Sequence, residues 1–145
     1  MNLKQLNDLV IDLNKHSKEY DFILIQGIPG SGKSTLASIL SHIFGSEYYE
    51  ADQYFERLGH FDASKLSEAH FWCQEMVMAQ IFLERCPIVS NTSLTDWELE
   101  PYIKMGKPYI IRMKTEFGSI HNIPEHTMKK MRSKTCSIKP NFIVQ

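Results

Sequence analysis

The chain has no apolar run approaching the about 18 residues that a bilayer-spanning helix needs. Its amino terminus, Met1 to Leu6, carries one positive charge and an interrupted hydrophobic pattern, unlike a signal peptide. Cysteine is scarce: Cys73, Cys86 and Cys136 are odd in number, far apart and without a CxxC pair. They read as packing residues in a thiol-reducing cytosol rather than a disulfide framework, and no His/Cys cluster has metal-ligand spacing. Seven glycines and six prolines in 145 residues exclude a collagenous or low-complexity chain. What is present is 43% apolar and 11% aromatic residues, enough for one folded core. The expectation is one cytoplasmic domain over residues 1–145, without repeats or a linker.

A net charge of −1 hides a segregation. Residues 1–100 hold 7 Lys and Arg against 15 Asp and Glu, whereas residues 101–145 hold 9 against 2. Such a basic third suits a face that meets an anion such as nucleic acid, and it equally suits a solvated helix with irregular charge.

Hydrophobic spacing alternates between two periods. Leu3, Leu6, Val10 and Leu13 predict an amphipathic helix ending near His16. The apolar run Asp21 to Gln26 predicts a parallel strand buried on both faces. Leu36, Ile39, Leu40 and Ile43 mark a helix stopping at Gly45, and Ser46 to Glu50 a weaker strand. Asp52 reads as the cap of a short helix closed by Gly59, and Ser64 to Arg85 as one helix of about six turns. Pro87 to Ser90 reads as a strand, Thr95 to Met105 as a helix interrupted by Pro101, and Tyr109 to Met113 as a strand. Lys114 to Asn122 reads as irregular, Pro124 opens a basic helix to about Ser133, and Phe142 to Val144 is a last strand or a docked tail. Strands alternating with helices imply an α/β domain with a mostly parallel sheet and helices on both faces.

Gly27-Ile28-Pro29-Gly30-Ser31-Gly32-Lys33-Ser34-Thr35 matches G-x-x-x-x-G-K-[ST] between a hydrophobic strand and an amphipathic helix, the context this motif requires. Its glycines permit conformations and close approaches that a Cβ obstructs, so that successive N–H groups form an anion-binding nest at a helix start. Lys33 would reach the β- and γ-phosphates of ATP, and Ser34 would offer its hydroxyl to Mg²⁺.

Parallel sheets bind ligands beyond the carboxyl ends of their strands. Asp52, after the second strand, is the nearest carboxylate expected there. It would accept a proton from a substrate hydroxyl or hold a Mg²⁺-bound water, or merely cap the next helix. The third strand ends without an aspartate, in Asn91 and Thr92, which would bond phosphate, water or substrate or else form a turn. Arg112 and Lys114 follow the fourth strand. Lys129, Lys130, Arg132 and Lys134 stand in the final helix, to offset transition-state charge, touch a nucleic-acid backbone or remain solvated. His70 and Trp72, on the long helix, would wall a substrate pocket or simply pack.

Together these residues resemble the polynucleotide-kinase-like P-loop proteins, most of all the NEDD4-binding-protein-2-like group and more distantly bacteriophage polynucleotide kinase. The stretches that carry the likeness are Ile25 to Leu36, Glu50-Ala51-Asp52-Gln53-Tyr54-Phe55, Glu68 to Gln74, Val89 to Leu94 with Trp97-Glu98, and Ile120 to Pro124 with Met128. It spans residues 22–132 and leaves the helix over 1–19 as an addition. The resemblance implies ATP binding at Gly27–Thr35 and a general-base role for Asp52 toward a 5′-hydroxyl. Three departures stand out: Gln53 replaces a second acid, Phe55 an arginine, and Gly118-Ser119 an Arg-Asn pair in a shortened lid. The expected function is an ATP- and Mg²⁺-dependent kinase of a nucleic-acid hydroxyl, with a small-molecule or nucleoside kinase as the alternative. A slow nucleotide-binding module acting through a partner is the rival, and the first helix either packs on its own domain or mediates a homodimer contact.

Overall fold

Strand β1 (Phe22–Gln26) is buried along its whole length, and the surrounding elements are arranged by which of its two faces they cover. A computed structural model describes residues 1–118 and 123–145. Five parallel strands stand in the order β2-β3-β1-β4-β5, with β2 Tyr48–Tyr49, β3 Ile88–Asn91, β4 Pro108–Met113 and β5 Phe142–Val144. The carboxyl-terminal segment is thus a strand, paired with β4 from Ile111 to Met113.

Period-two alternation divides the core. Ile23 and Ile25 face helices α1 (Leu3–Lys15) and α2 (Lys33–Phe44), packing with Leu9, Leu13, Leu36 and Leu40. Phe22 and Leu24 face α4 (Leu66–Phe82) and α5 (Asp96–Ile103), packing with Cys73, Val77, Leu99 and Tyr102. Helix α1 starts in a reciprocal cap: Asn2 Oδ1 accepts from Gln5 N–H at 2.8 Å, and Gln5 Oε1 from Asn2 N–H at 3.1 Å. Its Leu6, Leu9, Val10 and Leu13 are used within the chain's own core, so the stripe packs on its own domain, and Leu3 and Ile11 are left outside.

Three expected boundaries move, each for a visible reason. Strand β2 shortens to two residues because the next donors turn to side chains, Glu50 N–H to Gln53 Oε1 and Ala51 N–H to Asn91 Oδ1. Asp52 is the first residue of α3 (Asp52–Leu58) rather than its cap; Ala51 takes the cap position with no side-chain bond. The long helix divides into a 3₁₀ turn at Ala63–Lys65, set by Asp62 accepting from Ser64 N–H, followed by α4 of 17 residues. Pro101 is accommodated inside α5, and the basic helix α6 runs over Glu125–Ser133 behind Pro124. Ser119 and the Ile120–Asn122 part of the likeness lie outside the described residues. None of the described helices is long and apolar enough to cross a membrane.

Helix α4 stops short of Arg85 in a Schellman motif. Arg85 N–H reaches Gln80 O at 3.0 Å and Glu84 N–H reaches Ile81 O at 2.9 Å, with Glu84 in the left-handed region at φ 57°. Glycine is the residue this position favours, and a side chain there costs about 1 kcal/mol. Glu84→Gly is expected to raise the melting temperature by about 3 °C for a domain of this size, measured by thermal denaturation. An unchanged or lower value would contradict the strain at Glu84.

Candidate active site

The glycine loop leaves β1 beside the carboxyl end of β3. The helices that follow these two strands, α2 and α5, cover opposite faces of the sheet, which opens a crevice at that point. Gly30 and Gly32 hold φ of 81° and 95°, and Gly32 is the residue from which α2 begins. Gly27 is required for a different reason: a Cβ there would lie 2.6 Å from Ser31 Oγ and 2.9 Å from Met113 Cβ.

The loop is held on several sides. Gly27 N–H donates to Thr92 O at 3.3 Å, which joins the loop to the end of β3. Buried Gln26 donates through Nε2 to Ser93 O at 2.8 Å and accepts from Arg112 Nε at 2.5 Å. From the segment after β4, Thr115 Oγ1 donates to Ser31 O at 2.6 Å and Phe117 N–H to Gly30 O at 2.7 Å. These bonds fix the loop's carbonyls to the scaffold, an arrangement suited to a preorganised anion nest.

Lys33 opens α2 and turns back, its Nζ donating to Ile28 O at 3.1 Å. Burial pushes its pKa below the ordinary lysine value, and the nearby carboxylates of Glu50 and Asp52 partly oppose that shift. Ser34, the next residue, is exposed at the mouth of the loop, as is Thr35. Asp52 is exposed at the start of α3. The structure therefore brings Lys33, Glu50 and Asp52 into one electrostatic neighbourhood.

Glu50 is the acid that reading the chain by its motifs missed. Burial raises its pKa, the Ser34 and Ser90 hydroxyls and Lys33 pull it down, and Asp52 adds to the rise. Its Oε1 and Ser90 Oγ are both buried without a hydrogen-bond partner, as is Ser31 Oγ within the loop. The one signal available was a charged residue at the inner end of a strand, two positions before Asp52. Gln26 offered a similar signal, a polar residue closing an apolar run.

Other expected site residues have different tasks. Asn91 is buried, accepting from Ala51 N–H at 3.0 Å and donating to Tyr102 Oη at 3.3 Å and Cys73 Sγ at 3.6 Å. Its amide is engaged at the β2–α3 junction. Thr92 contributes its carbonyl to Gly27. The Arg112 guanidinium ties β1 to the carboxyl-terminal segment, through Gln26 and, at 2.7 Å, Ile138 O. Arg132 is paired with Glu116 at 2.9 Å and Glu125 at 2.7 Å. Lys129 and His70 are exposed on α6 and α4, and Trp72 packs against Tyr49 and Tyr54 with the Arg57 guanidinium 5.7 Å from its ring centre. A cavity of about 430 Å³ opens beside Gln26–Ile28, lined also by Arg112, Lys114 and Arg132. Lys33, Ser34 and Asp52 do not line it.

The residues present fit a nucleotide phosphate with a hard divalent cation. Gly27 packs too closely on Ser31 and Met113 for a Cβ, and Gly32 holds a φ of 95° with Phe117 3.1 Å from where its Cβ would lie, so the tight turn of the loop needs both glycines. Ser31 Oγ awaits a partner in the loop. The oxygen donors at its mouth are hydroxyls and carboxylates, the set that suits Mg²⁺.

No family model matches the chain. A stretch of 91 residues is 36% identical to human NEDD4-binding protein 2, covering 60% of this chain and only 5% of that much longer protein. A sugar kinase from Janibacter sp. HTCC2649 shares the fold at a TM-score of 0.59, with 16% identity over 85% of this chain and 83% of that one. The solved structure of APE1195 does so at 0.50, with 16% identity over 86% of this chain and 83% of its own. With the parallel sheet order above, these likenesses show an α/β P-loop kinase-like fold.

Two stability outcomes follow from this geometry. Gly27→Ala is expected to cost about 1–3 kcal/mol by overpacking, seen as a lower denaturation midpoint; unchanged stability would mean the loop has room. Glu50 has a folded pKa raised above its unfolded value. Its favourable contribution is thus complete below the ordinary glutamate range and is lost as pH rises through the folded value. Glu50→Gln should therefore melt above the wild type at pH 7–8, and the gap should close below the normal glutamate pKa of about 4.3. A gap that is absent, or that widens in acid, would reverse this assignment.

Proposed function

We propose that this chain is an ATP- and Mg²⁺-dependent phosphotransferase that phosphorylates a hydroxyl, with the 5′-hydroxyl of a nucleic acid as acceptor. The observation that carries this reading is the glycine nest at the β1–β3 crevice, with Lys33 Nζ bonded to Ile28 O and under the electrostatic influence of the Glu50 and Asp52 carboxylates. The acceptor class rests on the excess of basic residues over 101–145 and on the sequence likeness described above. The P-loop kinase-like fold agrees with this class of chemistry.

In this reading the amides of Gly30 to Lys33 bind the phosphates, and Lys33 exchanges Ile28 O for a β- or γ-phosphate oxygen. Ser34 holds Mg²⁺ through its hydroxyl, and the cation, when bound, neutralises charge on the transferring group. Asp52, free at the start of α3, accepts the proton from the acceptor hydroxyl as that oxygen attacks the γ-phosphorus and the bond to the β-phosphate oxygen breaks. Loop amides and Lys33 together stabilise the transition-state charge. Arg112 and Arg132 stand at the neighbouring cavity as its cationic lining, and each would have to leave its present partners to reach the phosphates. That engagement is the specific observation favouring the second reading, a nucleotide-binding module of slow turnover.

The test is transfer of label from γ-labelled ATP to 5′-hydroxyl DNA and RNA oligonucleotides. Label on the oligonucleotide is expected, falling by about a hundredfold or more in Asp52→Asn, as for loss of a general base. Lys33→Ala should abolish both transfer and tight nucleotide binding. ATP binding without transfer to either nucleic acid would overturn the acceptor assignment. Transfer to small hydroxyl compounds would then mark a small-molecule kinase, and none at all the binding module.

A further inference from the structure

We propose that Glu50 is the carboxylate that completes the divalent-cation site, with Ser90 beside it, through the water shell of a cation whose direct protein ligand is Ser34. This deepens the nucleotide-binding reading above and rests on it. Strand β3 ends in Ser90-Asn91, with no acid to organise such a shell, and Asn91 is committed to Ala51, Tyr102 and Cys73. Glu50, at the end of the neighbouring strand, supplies the missing charge from the other side of the crevice.

Three observations converge on this. First, Glu50 lies within the influence of both hydroxyls concerned, Ser34 on the loop and Ser90 on β3, and of Lys33. Second, Glu50 Oε1 and Ser90 Oγ are both buried and make no well-formed hydrogen bond, although the Ser90 hydroxyl lies near the Glu50 carboxylate, and Ser90 is only 2% exposed. Buried oxygens are almost always satisfied by protein or solvent, so an orphaned pair beside a phosphate loop points to a ligand that is a donor or a cation with its waters. Third, the donor set is entirely hard oxygen. That set favours Mg²⁺, which keeps several waters and presents them to nearby acceptors.

Gln53 supports the placement. Its Oε1 accepts from the Glu50 backbone N–H at 3.1 Å and its Nε2 donates to Tyr48 O at 3.2 Å, so the residue that departs from the resembled family's second acid fixes the backbone that carries Glu50. The two acids then divide the work. Glu50 is turned inward to the cation's shell, while Asp52, exposed two residues later, remains for the acceptor's proton.

The experiment is titration of the full chain with a fluorescent ADP in Mg²⁺ and, separately, in EDTA. The wild type should bind more tightly in Mg²⁺. Glu50→Gln should lose about tenfold or more of that Mg²⁺-dependent gain, read as the ratio of its affinities in Mg²⁺ and in EDTA, the size expected for a residue supporting a metal's outer shell. Glu50→Asp, which keeps the carboxylate, should recover part of the gain, and Ser90→Ala should lose part. The melting temperature reports folding of each variant independently. A Mg²⁺ gain preserved in Glu50→Gln overturns the proposal, as does an equal loss in Mg²⁺ and EDTA, which would make Glu50 a counter-charge to Lys33. Binding without any Mg²⁺ dependence in the wild type likewise removes the cation site but leaves nucleotide binding standing. No nucleotide binding by the wild type removes both.

Discussion

The buried side chain of Gln26 is the contact on which the arrangement of this site depends. One amide, at the last position of a strand covered on both faces, donates to the turn after β3 and accepts from the arginine on β4. It therefore sets the spacing of three strand ends at the point where the glycine loop departs. An apolar residue of the same volume would satisfy the core and leave the Ser93 carbonyl without its donor and Arg112 without its acceptor. Leaving such groups unmet costs about 1–3 kcal/mol each. The phosphate loop is consequently anchored by polar groups from inside the sheet, and its own carbonyls are held by Thr115 and Phe117 from outside.

The polar interior has a second, less satisfied half. On the β2 side of the crevice, Glu50, Ser90 and Ser31 contribute buried oxygens with no partner, while Lys33 is desolvated and bonded to its own loop. A folded protein tolerates this where a bound ligand supplies the partners. Hydrophobic burial by the two core layers must offset that local deficit, and the layers are continuous beneath the site, from Leu36 and Leu40 on one face to Val89 and Leu99 on the other.

Much of this architecture was legible because its physics is local. The apolar run ending at Gln26, the glycine spacing and the periodic stripe of α2 each require only short-range pattern, and all three are where the sequence places them. Failures occur where long-range partners decide. Asn91 looks like a substrate contact at a strand end, yet Ala51, Tyr102 and Cys73 claim it from three separate elements. Arg112 looks available for charge compensation until Gln26 and Ile138 engage it. Glu84 and Ser93 adopt left-handed backbone without a glycine to announce it, so the end of α4 was drawn too late. Glu50 was hidden for a related reason: its significance lies in unpaired burial, which no spacing rule encodes.

Cation supply is the remaining physical constraint on catalysis. Phosphoryl transfer needs positive charge at the migrating group, and both arginines at the neighbouring cavity, Arg112 and Arg132, are engaged with other partners. Arg132 is bracketed by Glu116 and Glu125 at the surface, where solvent screening leaves each pair worth little. A bound polyanion, which offers several charges and bidentate geometry, competes well against such weak partners. Arg112 is different, because its release would also unmake the Gln26 contact and loosen the loop. Recruitment of charge by this site therefore favours α6 over β4: the helix can exchange one set of anions for another without disturbing the scaffold. In the proposed reading, an acceptor rich in phosphate would itself draw Arg132 away from its glutamates.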